Sequence, residues 1–159
     1  VGSFNSCIKL LKRNEMIIPL KKFIFNKPTL AICLGMQILM NNSEEADNCK
    51  GLSILDGKVE LISKFHKKIM VPHIGWSKLI AKKGYNKNFF SNFNNKYFYY
   101  SHSYVCNLNK TYHESCFFIH DEKKFVSAIK KNNLIATQFH PEISSRQGFE
   151  FYKSFMDLK

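Results

Sequence analysis

The sequence is poor in chain breakers, with four prolines and seven glycines among 159 residues. That scarcity excludes collagen-like and Pro/Gly-rich low-complexity chains. It also has no long apolar run. Stretches such as Thr29 to Leu34 fall far short of the roughly 20 residues a bilayer-crossing helix needs, so no membrane span is expected. Its five cysteines, Cys7, Cys33, Cys49, Cys106 and Cys116, are odd in number, contain no CxxC pair and follow no signal peptide. Neither a disulfide framework nor a zinc knuckle fits that pattern, and a reducing cytoplasm is the expected location. No HxxxH pattern occurs either, so no metal and no cofactor is expected.

Acidic residues are few as well, 12 against 24 Lys and Arg, leaving a net charge of +12. Such a balance raises the question of nucleic acid, because clustered cations neutralise phosphates and release counterions. Here the lysines are scattered in short pairs, Lys21-Lys22, Lys67-Lys68, Lys82-Lys83, Lys123-Lys124 and Lys130-Lys131, without an arginine-rich helix or an aromatic RNA-binding motif. A solvated basic surface is expected, and no nucleic acid. Hydrophobic residues make up 45% and aromatics 14%, far from a disordered composition. The length suits one domain with a substantial core.

Ser3 or Asn5 can cap a helix on which Phe4, Ile8 and Leu11 share a face, until Pro19 interrupts the pattern. Pro28 precedes Thr29-Leu30-Ala31-Ile32-Cys33, an apolar run typical of a strand buried on both faces, and Gly35 to Met40 then reads as helix. Leu52 to Ile62 reads as a hairpin around Asp56-Gly57, and Ile69 to Val71 as a strand stopped by Pro72. Tyr97 to Val105, Cys116 to Ile119, Phe125 to Ile129 and Leu134 to Phe139 are further strands, with a tight turn at Asn132-Asn133. Gly148 onward reads as a helix with Phe151, Phe155 and Leu158 on one face.

Two segments carry chemistry. In Ala31-Ile32-Cys33-Leu34-Gly35-Met36-Gln37 a cysteine sits at a strand-to-helix turn between the small residues Ala31 and Gly35. A nucleophile elbow needs such neighbours, and the helix N-terminus behind it favours thiolate and offers backbone N–H groups to an oxyanion. In Gln138-Phe139-His140-Pro141-Glu142 a histidine and a carboxylate follow a strand, separated by a proline that fixes their geometry. His140 as base and Glu142 as its orienting carboxylate complete the logic of a triad with Cys33. Cys7, Cys49, Cys106 and Cys116 are read as small hydrophobes. His102 reads as a structural histidine or a substrate contact, and His66, His113 and His120 as surface residues.

ICLGMQ, Pro72-His73-Ile74-Gly75-Trp76, the YYSHSY run and QFHPE, in that order, resemble the class I glutamine amidotransferases, and most closely the glutaminase subunits of imidazole glycerol phosphate synthase. The resemblance spans nearly the whole chain. It implies a flavodoxin-like α/β fold with a mainly parallel sheet and flanking helices. It implies hydrolysis of glutamine to glutamate and ammonia by Cys33, His140 and Glu142, with Gln37, Ser103 and Tyr104 binding substrate and Gly2 and Leu34 at the oxyanion site. It further implies a heterodimer with a (β/α)8 cyclase barrel that takes up the ammonia in histidine biosynthesis, docked near Pro72, His73 and Trp76.

Departures from the family pattern are Ala31 in place of glycine and Ser77 in place of asparagine. Such a family opens with a strand-helix-strand unit, whereas this sequence opens on Val1-Gly2, so the expectation is a single amidotransferase domain over residues 1–159 that is truncated at its N-terminus. Two rivals stand beside this reading: a paralogous subunit feeding a sugar amidotransferase in surface polysaccharide synthesis, and a truncated docking module without activity.

Overall fold

The computed structural model describes residues 2–45, 49–66, 69–82 and 88–158. Lys67, Lys68 and Lys83 of the lysine pairs lie outside them. The chain opens with helix α1, Phe4–Arg13, whose N-cap Ser3 accepts a hydrogen bond from the Ser6 amide and whose Phe4 and Ile8 are buried. A turn through Glu15 (φ 55°) leads to α2, Ile17–Asn26. Pro19 falls in the first turn of α2, where its missing N–H has no intrahelical acceptor to lose, so it opens a second helix after the break.

Strand β1 (Thr29–Ile32) and the short helix α3 (Leu34–Ile38) follow, then the two-residue strands β2 (Asn42–Ser43) and β3 (Cys49–Lys50), and β4 (Gly57–Leu61). After a 3₁₀ turn at Ile62–Phe65 come β5 (His73–Lys78) and β6 (Ile80–Ala81), then a second 3₁₀ turn at Phe89–Phe93. The strands β7 (Tyr97–His102), β8 (Tyr104–Leu108), β9 (Glu114–His120), β10 (Lys123–Lys131) and β11 (Leu134–Thr137) lead to a 3₁₀ turn at Pro141–Ile143 and to α4 (Ser145–Met156).

The main sheet has the order β1-β11-β10-β9-β6, a second has β3-β2-β4-β8, and β5 pairs with β7 as a ribbon. The α/β class is as expected, and the pairing is mixed: β1–β11 and β2–β4 run parallel, the other described pairs antiparallel. The turn at Asn132-Asn133 is as expected, with Lys131 opposite Leu134 and Asn132 at φ 53°.

Three expectations are corrected. Leu52 to Asp56 is not a strand, so no hairpin forms at Asp56-Gly57; β4 pairs instead with β2 and the distant β8. Ile69 to Val71 is irregular, and the strand begins only after Pro72. The run Tyr97 to Val105 breaks at Ser103, so that β7 joins the ribbon and β8 the second sheet. Apolar alternation is the same on either side of that break, which hid it from the pattern.

Alternate residues of the central strands feed two cores. Leu134, Ala136 and Ile129 face a cluster with Phe4, Ile8, Ile24 and Met36 from the three N-terminal helices, while Ile135 and Ala128 face Phe98, Tyr100, Phe139 and Phe151 of α4. Both faces of β11 and of the middle of β10, Phe125 to Ile129, are therefore covered. None of the described helices is long and apolar enough to cross a membrane.

Helix α4 also holds the turn that carries His140. A Cβ on Gly148 would lie 1.8 Å from the Pro141 carbonyl oxygen, so only glycine allows the helix this close. The obstruction is backbone and cannot rotate away. Gly148→Ala is therefore expected to cost about 3 kcal/mol of stability, read as a lower urea midpoint; an unchanged midpoint would show that the helix can slide freely off the turn.

Candidate active site

The parallel pairing of β1 with β11 brings the two motifs together. Ile32 is opposite Thr137, and the Cys33 amide continues the ladder by donating to the Thr137 carbonyl at 2.7 Å. Cys33 thus follows the end of one strand and His140 stands three residues past the end of its neighbour. Carboxyl ends of adjacent parallel strands are where α/β folds place their sites.

Cys33 adopts φ 48° and ψ −103°, a conformation a non-glycine residue holds only when its surroundings enforce it. Ala31 and Gly35 flank it as a small pair: a Cβ on Gly35 would meet the Ala31 Cβ at 3.5 Å, an ordinary contact, so alanine is accommodated in the elbow. The thiol is 5% exposed. Its sulfur lies 4.0 Å from the Ser101 carbonyl oxygen and 3.7 Å from Nε2 of Gln138, a wholly buried residue. Burial, the largest influence, pushes the Cys33 thiol up to about 11; a hydrogen bond from the Leu34 amide opposes the rise, the Glu142 charge adds to it, and the Gln138 amide opposes it.

His140 and Glu142 form a pair, with Nδ1 to Oε1 at 2.6 Å. A carboxylate at Nδ1 holds the proton there and leaves Nε2 with its lone pair, the atom a general base uses. Nε2 is buried and accepts no hydrogen bond from any of the described residues. The His140 amide donates to the Tyr99 carbonyl at 2.9 Å, which hooks the turn onto β7. The structure therefore joins His140 to Glu142 and shows no hydrogen bond between His140 and Cys33.

An open cleft reaches Cys33, with Gly2, Leu34, Gln37, Ser103 and Tyr104 on its walls. All five residues expected at the substrate and oxyanion positions thus line one space. Gln37 Nε2 donates to the Tyr104 carbonyl at 3.1 Å. Glu45, which no sequence motif singled out, also lines the cleft, with Oε2 accepting from the Phe4 amide at 2.9 Å. The signal that could have found it is weak, since it belongs to an Asn- and Glu-rich loop.

The three residues expected at a partner surface separate. Pro72 and Trp76 are exposed, and Trp76 lies on the outer face of the β5–β7 ribbon with Ile74 and Tyr97. His73 points inward, 4% exposed, and its Nδ1 lies 3.1 Å from Nε2 of His102. His120, expected at the surface, is half-buried and its ring centroid is 4.2 Å from that of His73. Burial holds His73 down to about 4 and His102 down to about 3, so both rings are neutral. His66 and His113 are exposed, as expected, and the five cysteines are free. Among the described residues no cluster of His, Cys, Asp and Glu could hold a metal ion.

A family model described as glutamine amidotransferase class-I matches residues 4–157. Among curated proteins, the chain is 38% identical to an imidazole glycerol phosphate synthase subunit HisH 2 of Vibrio vulnificus, over 99% of this chain and 72% of that protein. It is 39% identical to the corresponding HisH subunit of Methanocaldococcus jannaschii, over 99% and 77%. Among solved structures, a glutamine amidotransferase superposes with TM-score 0.62 at 13% identity, over 98% of this chain and 76% of that one. A Thermotoga maritima glutamine amidotransferase gives 0.59 at 18% identity, over 99% and 59%. These last two speak to fold alone.

With the thiol near 11, thiolate is scarce at neutral pH and its fraction grows about tenfold per pH unit below that value. Alkylation of Cys33 by iodoacetamide in the chain alone, followed by mass on its peptide, should therefore accelerate about tenfold per unit from pH 7 to 10. A rate flat over that range would instead reveal a preformed thiolate–imidazolium pair.

Proposed function

The chain belongs to the class I glutamine amidotransferases, on the branch of the imidazole glycerol phosphate synthase glutaminase subunits, and from that premise we propose that it hydrolyses glutamine through Cys33, His140 and Glu142. The observation that carries the reading is the placement of the strained Cys33 elbow and the His140–Glu142 pair at the ends of adjacent parallel strands.

Glutamine enters the cleft with its side-chain amide at Cys33. Nε2 of His140 takes the thiol proton as sulfur attacks the amide carbon, and the Gly2 and Leu34 backbone receives the developing oxyanion. His140 returns the proton to the departing nitrogen, releasing ammonia and leaving a γ-glutamyl thioester. Water, deprotonated by the same nitrogen, resolves the thioester to glutamate. Glu142 holds the imidazole in register and stabilises its charged form. Glu45 supplies a carboxylate at the cleft for the substrate ammonium, and Ser103 with Tyr104 faces its amino-acid end.

The unpaired Nε2 and the raised thiol describe a resting arrangement. Attack requires Cys33 and His140 to come within hydrogen-bond reach, a closure that apo sites often complete only with substrate. The exposed apolar strip of Ile74, Trp76 and Tyr97 is the surface we assign to a cyclase-type (β/α)8 barrel, which receives the ammonia and produces imidazole glycerol phosphate and AICAR. The two strands under that strip also carry the Ser101 carbonyl beside Cys33. A cytoplasmic location belongs to the same reading.

Glutamate release from glutamine by this chain co-expressed with its cyclase-type barrel is the direct test. Cys33→Ala should lower the rate at least a thousandfold, His140→Asn a hundredfold or more, and Glu142→Gln less than either. Absence of glutamate from the wild-type pair with the barrel's substrate bound would favour a docking module without chemistry.

A further inference from the structure

His73 and His102 are buried histidines that the reaction above does not use. They lie directly opposite each other in the β5–β7 ladder. Their hydrogen bonds form a chain: His73 Nε2 to Ser77 Oγ at 3.0 Å, His73 Nδ1 to His102 Nε2 at 3.1 Å, and His102 Nδ1 to the Tyr104 carbonyl oxygen at 2.9 Å.

The polarity of that chain follows from one atom. A carbonyl only accepts, so His102 Nδ1 carries a proton. A neutral ring has one proton, so His102 Nε2 is bare and accepts from His73 Nδ1–H. His73 Nε2 is then bare in turn and accepts from the Ser77 hydroxyl. The Tyr104 carbonyl receives a second donor, Gln37 Nε2 at 3.1 Å, so the segment is held from one side by α3, which follows the nucleophile, and from the other by the two rings.

Burying such a pair carries a desolvation cost that apolar side chains would avoid. The surroundings are aromatic: His73 stacks on Phe118 at 5.0 Å and on Tyr100 at 5.1 Å. Leucine or phenylalanine would fill that space as well. What an apolar residue cannot do is donate to a chosen carbonyl in the wall of the cleft, and both Tyr104 and His102 line that cleft.

We propose that His102, backed by His73, is a positioning residue of the glutaminase site: the chain from Ser77 to the Tyr104 carbonyl holds Ser103 and Tyr104 where they receive the amino-acid end of glutamine. The proposal rests on the glutamine reading above. It assigns the pair to substrate affinity and not to bond making.

The test is covalent labelling of Cys33 by 6-diazo-5-oxo-L-norleucine, a glutamine analogue whose diazomethyl ketone replaces the side-chain amide and alkylates the sulfur with loss of N2, in the chain co-expressed with its cyclase-type barrel. Labelling is followed by intact mass against reagent concentration. His102→Leu, which fills the space and donates nothing, should raise the half-saturating concentration about tenfold while the maximal rate stays within about threefold, the size expected of one lost hydrogen bond. His102→Asn, whose amide can occupy the Nδ1 position and donate to the same carbonyl, should return it to within about threefold of wild type. Equal half-saturation in wild type and both variants would overturn the positioning role, as would a fall in maximal rate at unchanged half-saturation. A wild-type chain that takes no label would overturn the glutamine reading itself.

Discussion

The parallel register of β1 against β11 is the constraint on which the rest of the site depends. Only parallel neighbours end on the same side, and only with Ile32 opposite Thr137 does the Cys33 amide find the Thr137 carbonyl at 2.7 Å. A shift of one residue would turn every side chain of β11 to the other face. Leu134 and Ala136 would leave the helical core and Ile135 the aromatic one, so the register of the site is enforced by two cores at once. The placement of Cys33 and His140 and the burial of both cores are specified by the same residues.

Strand β7 then acts as the template on which the remaining parts are set. Its Tyr99 carbonyl anchors the His140 amide, its Tyr99 amide is held by the Ser144 hydroxyl at 3.0 Å, and its Ser101 carbonyl borders the nucleophile. Pairing with β5 exposes one face of this strand and buries the other, and the histidine pair sits on the buried face. Ser101, opposite Ile74 in this ribbon, borders Cys33 through its carbonyl. Backbone contacts of this kind resist small displacements better than long side chains, because fewer torsions separate the anchor from the reacting atom.

Much of the site was legible in the sequence because its signals are local. Small residues beside Cys33 and the proline between His140 and Glu142 act over three or four positions, and the elbow and the 2.6 Å pair are the result. The cap at Ser3 and the turn at Asn132-Asn133 are local too. What was not legible depends on partners distant in the chain. Nothing near Asp56 says that β4 will take β8, some 45 residues on, over the strand next to it. Nothing near His73 says that its ring will meet His102, which reversed its expected exposure. Gln138 could be seen in its motif, but its contact with sulfur comes from a strand pairing across 105 residues.

The electrostatics of the resting site follow from the same burial that shapes it. Enclosing Cys33 protects a strained elbow from water but penalises the thiolate, and the negative charge of Glu142 penalises it further. In the proposed triad Glu142 holds the proton on Nδ1 and leaves Nε2 its lone pair. The two demands conflict as long as the histidine is neutral and apart. In the proposed reaction they are reconciled when His140 takes the proton: an imidazolium beside sulfur offsets both the burial and the carboxylate, so one proton transfer turns an unfavourable thiolate into a paired one. The proposed step therefore depends on how closely the elbow and the turn approach each other. That separation is set by β7, which borders the one and anchors the other.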